Sequence, residues 1–271
     1  MKVRDKGMLK IGVFDSGLGG LTVVKALKEV IQNADVYYIA DTKNAPYGDK
    51  TPEQILQFSL AITKHLIQAH EIDVLVLACN TATSFAIKEL RRLYPSLIII
   101  GTEPGIRPAM AKTKTGKIGI LATPATLKGD KYQKLVRTLL QDKDMCIFEQ
   151  ACKGLVEQIE LGEVTNDKTR KLLEQWLLPM LDNSVDTIVL GCTHYPLVST
   201  IIEDIMQRNV MLVETGMAIA EHLLALSLKK GHNNKGNTTI QLHSTGNINA
   251  KFASKILDKT VDITHINIIY K

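Results

Sequence analysis

The sequence predicts an α/β protein made of two similar parallel-sheet α/β domains related by pseudo-twofold symmetry, with the active site between them. Three observations carry this expectation. Apolar runs of five to seven residues alternate with longer stretches of helical spacing, the pattern of parallel strands joined by crossover helices. Those runs are rich in Val and Ile and lack polar alternation, so the strands are expected to be buried on both faces, and antiparallel hairpins are disfavoured. The pattern also repeats. Lys10-Ile11-Gly12 and Lys117-Ile118-Gly119 open two similar runs, while Asp73-Val-Leu-Val-Leu-Ala-Cys79 and Asp186-Thr-Ile-Val-Leu-Gly-Cys192 each end an apolar run in a thiol.

Taken in order, the first strand is expected over residues 9–15, ending in the turn Asp15-Ser16-Gly17, and the first helix over 20–32. A strand at 35–40 leads into the polar loop from Asp41 to Gly48. The clearest helix starts at Thr51-Pro52-Glu53-Gln54, where Thr51 can cap, Pro52 has the fixed φ suited to the first helical position, and Gln54 stands three residues after the cap. Its apolar stripe is Ile55, Phe58, Ile62 and Leu66. A strand at 73–79 and a helix at 82–93 follow. Tyr94-Pro95 ends that helix, because proline pushes the preceding residue out of the α region. After a strand at 97–101, the segment Glu103-Pro104-Gly105-Ile106-Arg107-Pro108 is read as the crossover into the second unit. There strands are expected at 117–123, 145–150, 186–192 and 210–215, with helices at 127–140, 168–181, 197–207 and 216–230. A polar stretch from His232 to Thr239 precedes two strand-like runs, 239–243 and 262–268, which exceed what the second unit needs and are expected to return to the first. The expected domains are therefore 1–103 with 216–271, and 104–215.

With 271 residues, 45% hydrophobic and 23% charged, the chain suits one large or two ordinary globular domains. No apolar run approaches the roughly 18 residues that span a bilayer. The charged start, Met1 to Lys10, leads into a glycine-rich turn rather than a signal-peptide apolar region, so a cytoplasmic protein without membrane association is expected. The four cysteines (Cys79, Cys146, Cys152, Cys192) contain no C-x-x-C pair, and in a reducing compartment they are expected to be free thiols. The net charge of +5 is scattered, with only short clusters such as Lys112, Lys114 and Lys117; it reads as a solvated surface, and a nucleic-acid partner is not expected.

In open parallel sheets ligands bind outside the carboxyl ends of strands, and four polar signatures fall at such ends: Asp15-Ser16-Gly17, Asp41 to Gly48, Cys79-Asn80-Thr81 and Cys192-Thr193-His194. A cysteine that precedes a helix has its thiolate favoured by the helix amides, so lowered pKa values are expected for Cys79 and Cys192. A lone cysteine at a strand end is more often a small buried hydrophobe, but the duplication argues for chemistry. Gly17, Gly19 and Gly20 permit positive φ and leave amides open to an anion at a helix start. A dinucleotide fold is the competing reading of this turn. Against it, Thr22 stands where G-x-G-x-x-G needs its third glycine; for it, Asp41 lies near the distance of a ribose-binding acid. Pro46-Tyr47-Gly48 offers a rigid aromatic wall beside an exposed amide. His194 is placed to stabilise the Cys192 thiolate or a substrate carboxylate. Further ligands at zinc spacing are missing, so no metal is expected. His65, His70, His222, His232, His243 and His265 read as surface or core residues.

The phrases Phe14-Asp-Ser-Gly-Leu-Gly-Gly-Leu-Thr-Val23, Pro46-Tyr-Gly48, Ala78-Cys-Asn-Thr-Ala82, Glu103-Pro-Gly105 and Leu190-Gly-Cys-Thr-His-Tyr-Pro-Leu197 closely resemble the glutamate racemase family of the cofactor-independent aspartate/glutamate racemase superfamily. The resemblance runs from about residue 10 to 220. It implies that Cys79 and Cys192 are two acid/base thiols, with Asp15 and Ser16 beside the first and His194 near the second. The segment from Ala151-Cys152 to Glu160 looks like the one that supplies an assisting glutamate, here Glu160, although Lys153 and Glu157 occupy positions where the family often has prolines. Pro46, Tyr47, Gly48, Asn80, Thr81, Thr126 and Thr193 would bind the carboxylates and ammonium of the substrate, together with Asp15, Ser16 and His194.

The implied reaction interconverts L- and D-glutamate without a cofactor, supplying D-glutamate for peptidoglycan. One thiolate takes the Cα proton from one face and the opposite thiol delivers another, with Cys192 acting on L-glutamate and Cys79 on D-glutamate. A thiol pKa near 8.5 lets both forms coexist close to neutrality. Asp15 beside a thiol opposes its ionisation, so it reads as a proton relay or a ligand of the substrate ammonium. Amides and hydroxyls at the strand ends would stabilise the developing carbanion. An aspartate racemase with the same thiols is the nearest alternative. A thiol hydrolase built on Cys192 and His194 is the alternative from another class, and it leaves Cys79 without a role. A regulatory role on a DNA enzyme has only the mild positive charge in its favour. The expected partner is the small-molecule substrate glutamate, with a homodimer left open.

Overall fold

The computed structural model describes residues 7–141 and 143–270, so the charged start from Met1 to Lys6 lies outside the described residues. The first half runs β1 (Leu9–Asp15), α1 (Leu21–Val30), β2 (Ala34–Ala40), α2 (Pro52–His70), β3 (Val74–Leu77), α3 (Asn80–Leu93), β4 (Ile98–Gly101) and α4 (Ile106–Lys112). The second continues with β5 (Lys117–Ala122), α5 (Pro124–Lys128), α6 (Asp130–Leu140), β6 (Cys146–Ala151), α7 (Leu155–Glu160), α8 (Asp167–Asp182), β7 (Thr187–Gly191), α9 (Ser199–Ile205) and β8 (Met211–Val213). Last come α10 (Gly216–Lys229), β9 (Thr238–Ser244), α11 (Ala250–Ile256) and β10 (Ile263–His265).

Two sheets result, ordered β10-β9-β2-β1-β3-β4 and β6-β5-β7-β8, and their pairings are parallel. The segment β2-β1-β3-β4 of the first matches the second strand for strand, so β1 corresponds to β5 and β3 to β7. The sequence echoes thus mark equivalent strands of two α/β units, as expected. The two late strand-like runs pair beside β2, through Ala34↔Thr238 to Ala40↔Ser244 and Ile263↔Leu242. We propose the domain division 1–103 with 216–271 against 104–215, because the strands of each sheet fall within one of those sets.

The paired aspartates of the repeat serve as latches at the strand starts. Asp73 accepts the Lys10 amide at 3.0 Å; Asp186 accepts the Thr113 hydroxyl at 2.6 Å and the Lys114 and Thr115 amides at 2.7 and 2.9 Å. Burial alone would raise the Asp186 carboxyl, but these hydrogen bonds hold it below the usual range.

Helix α2 forms as its start predicts. The Thr51 side chain accepts the Gln54 amide at 3.3 Å and the Gln54 side chain accepts the Thr51 amide at 3.1 Å, closing the capping box with Pro52 at the first position. Ile55, Ile62 and Leu66 are buried against β1, β2 and β3; truncating Leu66 to Ala would cost about 2–5 kcal/mol. Phe58 lies half-buried, its ring tilted against Tyr47 and edge-on to Tyr270. Ser59 and Thr63 complete the inner face, each returning its hydroxyl to the carbonyl four residues back at 2.7 Å, which is how polar side chains are buried there.

Several expected elements differ. Strand β3 stops at Leu77, so Cys79 caps α3 instead of closing the strand. The helix expected at 127–140 is two helices, because Gly129 takes an extended conformation (ψ 132) between α5 and α6. The helix expected at 197–207 is a 3₁₀ turn, Tyr195–Val198, followed by α9. Helices α4, α7 and α11 are unexpected, being six or seven residues long and too short for periodicity to reveal. One apolar cluster runs from the first sheet through α1, α7, α8, α10 and α11 to the second.

Candidate active site

The carboxyl ends of β1, β3, β5 and β7 converge on a cleft between the two sheets. Ser16, Pro46, Tyr47, Gly48, Asn80, Thr81, Thr193 and His194 line it, together with both repeat thiols, Cys79 and Cys192. The cleft encloses about 30 Å³, room for roughly two water molecules by the space each requires. Among the described residues no three His, Cys, Asp or Glu side chains are grouped to hold a metal ion.

The two thiols have unlike surroundings. Cys79 is the N-cap of α3, its sulfur accepting the Ala82 amide at 3.4 Å and donating to Ser16 Oγ at 3.9 Å. The expected lowering of its pKa does not occur. Burial pushes the thiol up, the Asp15 carboxylate adds to this, and the one amide and one hydroxyl are too weak to reverse it. Cys192 precedes a 3₁₀ turn instead of an α-helix, so it does not cap an α-helix as Cys79 does. Its sulfur lies 3.6 Å from His194 Nδ1.

His194 is buried, and Nε2 is 2.5 Å from Glu160 Oε1. Burial alone would disfavour its charge, but the Cys192 sulfur and the Glu160 carboxylate outweigh burial and raise its pKa well above the ordinary histidine value. The protonated form of His194 is thereby favoured beside Cys192. Glu160 also accepts the Leu18 amide at 2.6 Å. The glycine-rich turn, expected to leave its amides open to an anion, is occupied by this carboxylate of α7. Gly17 and Gly19 make the approach possible, since a Cβ on either would collide with Glu160 or with the His194 ring.

Asp15 and Glu160 do not line the cleft; they stand behind it. Asp15 is fully buried, accepting the Gly17 amide at 3.0 Å and, from the other half, the Thr193 hydroxyl at 3.1 Å. Burial raises its carboxyl more than the His194 charge and these hydrogen bonds lower it. Thr126 is behind the wall as well. Its hydroxyl joins those of Thr81 and Thr123 in a triangle with sides of 3.0 to 3.3 Å that ties α3 to α5.

Tyr47 contributes its ring to the cleft, while its hydroxyl donates to Asp41 at 2.6 Å. Asp41 also accepts Thr245 Oγ1 at 2.7 Å, Tyr270 OH at 2.5 Å and the Asn44 amide group at 3.1 Å. It is the hub of its own loop, which removes the acid that a ribose-binding reading needs. Asn80, by contrast, keeps a buried Nδ2 without a hydrogen-bond partner among the described residues, a donor left for a ligand.

Sequence reasoning missed Thr123 and Cys152 in the wall and placed no binding role on Lys153 or Glu157, which also line it. A signal for Thr123 was present: it follows the Lys-Ile-Gly strand β5 as Ser16 follows β1. For Cys152 the signal was its place in the Ala151-to-Glu160 segment, from which sequence reasoning took Glu160 alone.

A family model described as Asp/Glu/hydantoin racemase matches residues 11–223. A glutamate racemase of Sulfurovum sp. (strain NBC37-1) is 59% identical over 249 residues, covering 92% of this chain and 94% of that protein. One from Aliarcobacter butzleri is 54% identical, covering 94% and 98%. Among solved structures, Escherichia coli glutamate racemase in complex with L-glutamate and the activator UDP-MurNAc-ala superposes with a TM-score of 0.84 at 26% identity, over 97% of this chain and 99% of that one. Francisella tularensis glutamate racemase in complex with D-glutamate gives 0.82 at 25% identity, over 97% and 98%.

Proposed function

The chain belongs to the Asp/Glu/hydantoin racemase family, and from that premise we propose that it interconverts L- and D-glutamate by moving the Cα proton between Cys79 and Cys192 without a cofactor. The observation that carries this reading is that thiols from equivalent strands of the two halves, β3 and β7, line one cleft. A two-base reaction needs one group on each face of a single carbon, and a duplicated unit facing itself supplies that.

With L-glutamate bound, the Cys192 thiolate takes the Cα proton and becomes a thiol. The Cys79 thiol then delivers its proton to the opposite face and becomes a thiolate; the D enantiomer runs the sequence backwards. His194 positions and counters the charge on Cys192, and Glu160 acts through His194 without touching substrate. Asp15, shut away from the cleft, favours the neutral form of Cys79 in place of binding the ammonium. Asn80 Nδ2, the Thr81 and Thr193 hydroxyls, Ser16 and the Pro46-Tyr47-Gly48 wall bind the carboxylates and ammonium. The cleft is narrow, about 30 Å³, and binding glutamate would require its walls to move apart. D-glutamate formed in the cytoplasm would supply peptidoglycan.

The test is L-glutamate in heavy water with reduced protein and no pyridoxal phosphate. Deuterium should enter Cα as D-glutamate appears; turnover of aspartate alone would reassign the substrate. A thiol hydrolase should keep its activity in Cys79→Ser, whereas a two-base racemase should not.

A further inference from the structure

Glutamate carries two carboxylates and one ammonium, yet the wall described so far offers hydroxyls, amides and a single cation, His194, already engaged by Cys192 and Glu160. Among the described residues that line the cleft, one other is cationic. Lys153 lines it at the turn between β6 and α7, where Gly154 takes φ 86 and reverses the chain. It is exposed, and among the described residues its ammonium forms no ion pair. The remaining charged groups of the wall, Asp49 and Glu157, are acids. A substrate carboxylate at the rim is repelled by both acids, and Lys153 is the group there that can counter its charge.

We propose that Lys153 is a specificity-determining residue that takes the side-chain carboxylate of the substrate at the cleft rim. This rests on the glutamate reading above and deepens it. An ammonium on a flexible four-carbon stem suits the task, because it can follow a carboxylate as the cleft opens and closes. Since Lys153 does not touch the reacting carbon, it contributes equally to ground state and transition state and acts on KM, not on kcat.

The experiment compares the wild-type chain with Lys153→Met and Lys153→Arg, using L- and D-glutamate as substrates and glutarate and L-glutamine as competitors. Lys153→Met should raise KM for both enantiomers about tenfold, the size of a lost charge-assisted hydrogen bond, with kcat within about threefold. Inhibition by glutarate should weaken in step, inhibition by glutamine should not, and Lys153→Arg should restore most of the affinity. An unchanged KM, a fall in kcat at constant KM, or equal weakening of both competitors would overturn the proposal. Failure of the glutamate reading itself would appear earlier, as a wild-type protein that does not racemise glutamate. Calorimetric binding of glutarate to the wild-type and Lys153→Met chains then still decides the role of Lys153: equal affinity rejects it.

Discussion

Cys79 and Cys192 follow equivalent strands, yet one faces a buried carboxylate and the other a histidine whose surroundings favour its protonated form. Around Cys79, burial and Asp15 hold the proton on sulfur. Around Cys192, the His194 ring lies 3.6 Å from the sulfur, and Glu160 helps to favour its protonated form. The duplication thus delivers two like groups to one cleft and gives them unlike neighbours, and the proposed two-base reaction uses that difference by needing one acid and one base in each turnover. The asymmetry has a limit. Enantiomers in water have equal free energy, so kcat/KM must be the same in both directions, and any preference can appear only in kcat and KM separately.

The largest test of this contrast removes each thiol in turn. Cys79→Ser and Cys192→Ser should each lower racemisation by about 10²–10⁴-fold, the usual contribution of a general acid or base. Each should keep half of the chemistry. With Cys192 left, the α-deuteron should wash into L-glutamate without inversion; with Cys79 left, into D-glutamate. Proton NMR of recovered glutamate reads both, and exchange of the same enantiomer by both variants would break the assignment of faces.

A smaller effect sharpens the Cys192 side. Glu160→Gln removes the carboxylate that helps raise His194, so the basic limb of the kcat profile should move to lower pH, with about tenfold loss of kcat at pH values above it. The same group links pH to stability. Its folded pKa lies above the unfolded value of about 6.5, so its contribution is complete below that pH and is lost as pH rises through the folded pKa. Urea midpoints against pH should show that loss in the wild type and a flatter curve in Glu160→Gln.

The smallest effects should be equal in the two halves. Thr51 caps α2 and Asn166 caps α8, the latter by accepting the Thr169 amide at 2.8 Å. Replacing either by Ala should cost about 1 kcal/mol in chemical denaturation and leave kcat unchanged. A change in kcat from either would mean that the frame and the thiol sites are coupled.

Much of the molecule was legible because the signals are local. Strand-length Val/Ile runs, the Thr51 capping box and the repeated Lys-Ile-Gly and Asp-to-Cys phrases each act within a few residues, and each appears as a strand, a capped helix or a matched pair of strands. Short helices such as α7 were not legible, although Glu160 depends on α7 for its position. The motif residues were found, but not which of them face the cleft: Asp15, Glu160 and Thr126 stand behind it, while Thr123 and Lys153 are on its wall.

The sequence by itself determined a doubled parallel α/β architecture and the two strand ends where thiols occur, because periodicity and two-sided burial are written along the chain. Only the tertiary structure decided the charge around each thiol. Asp15 meets Thr193 across 178 residues of sequence, and Glu160 reaches Leu18 across 142. The ionisation of a buried group depends on what lies within a few ångströms of it, and no local pattern records neighbours that distant.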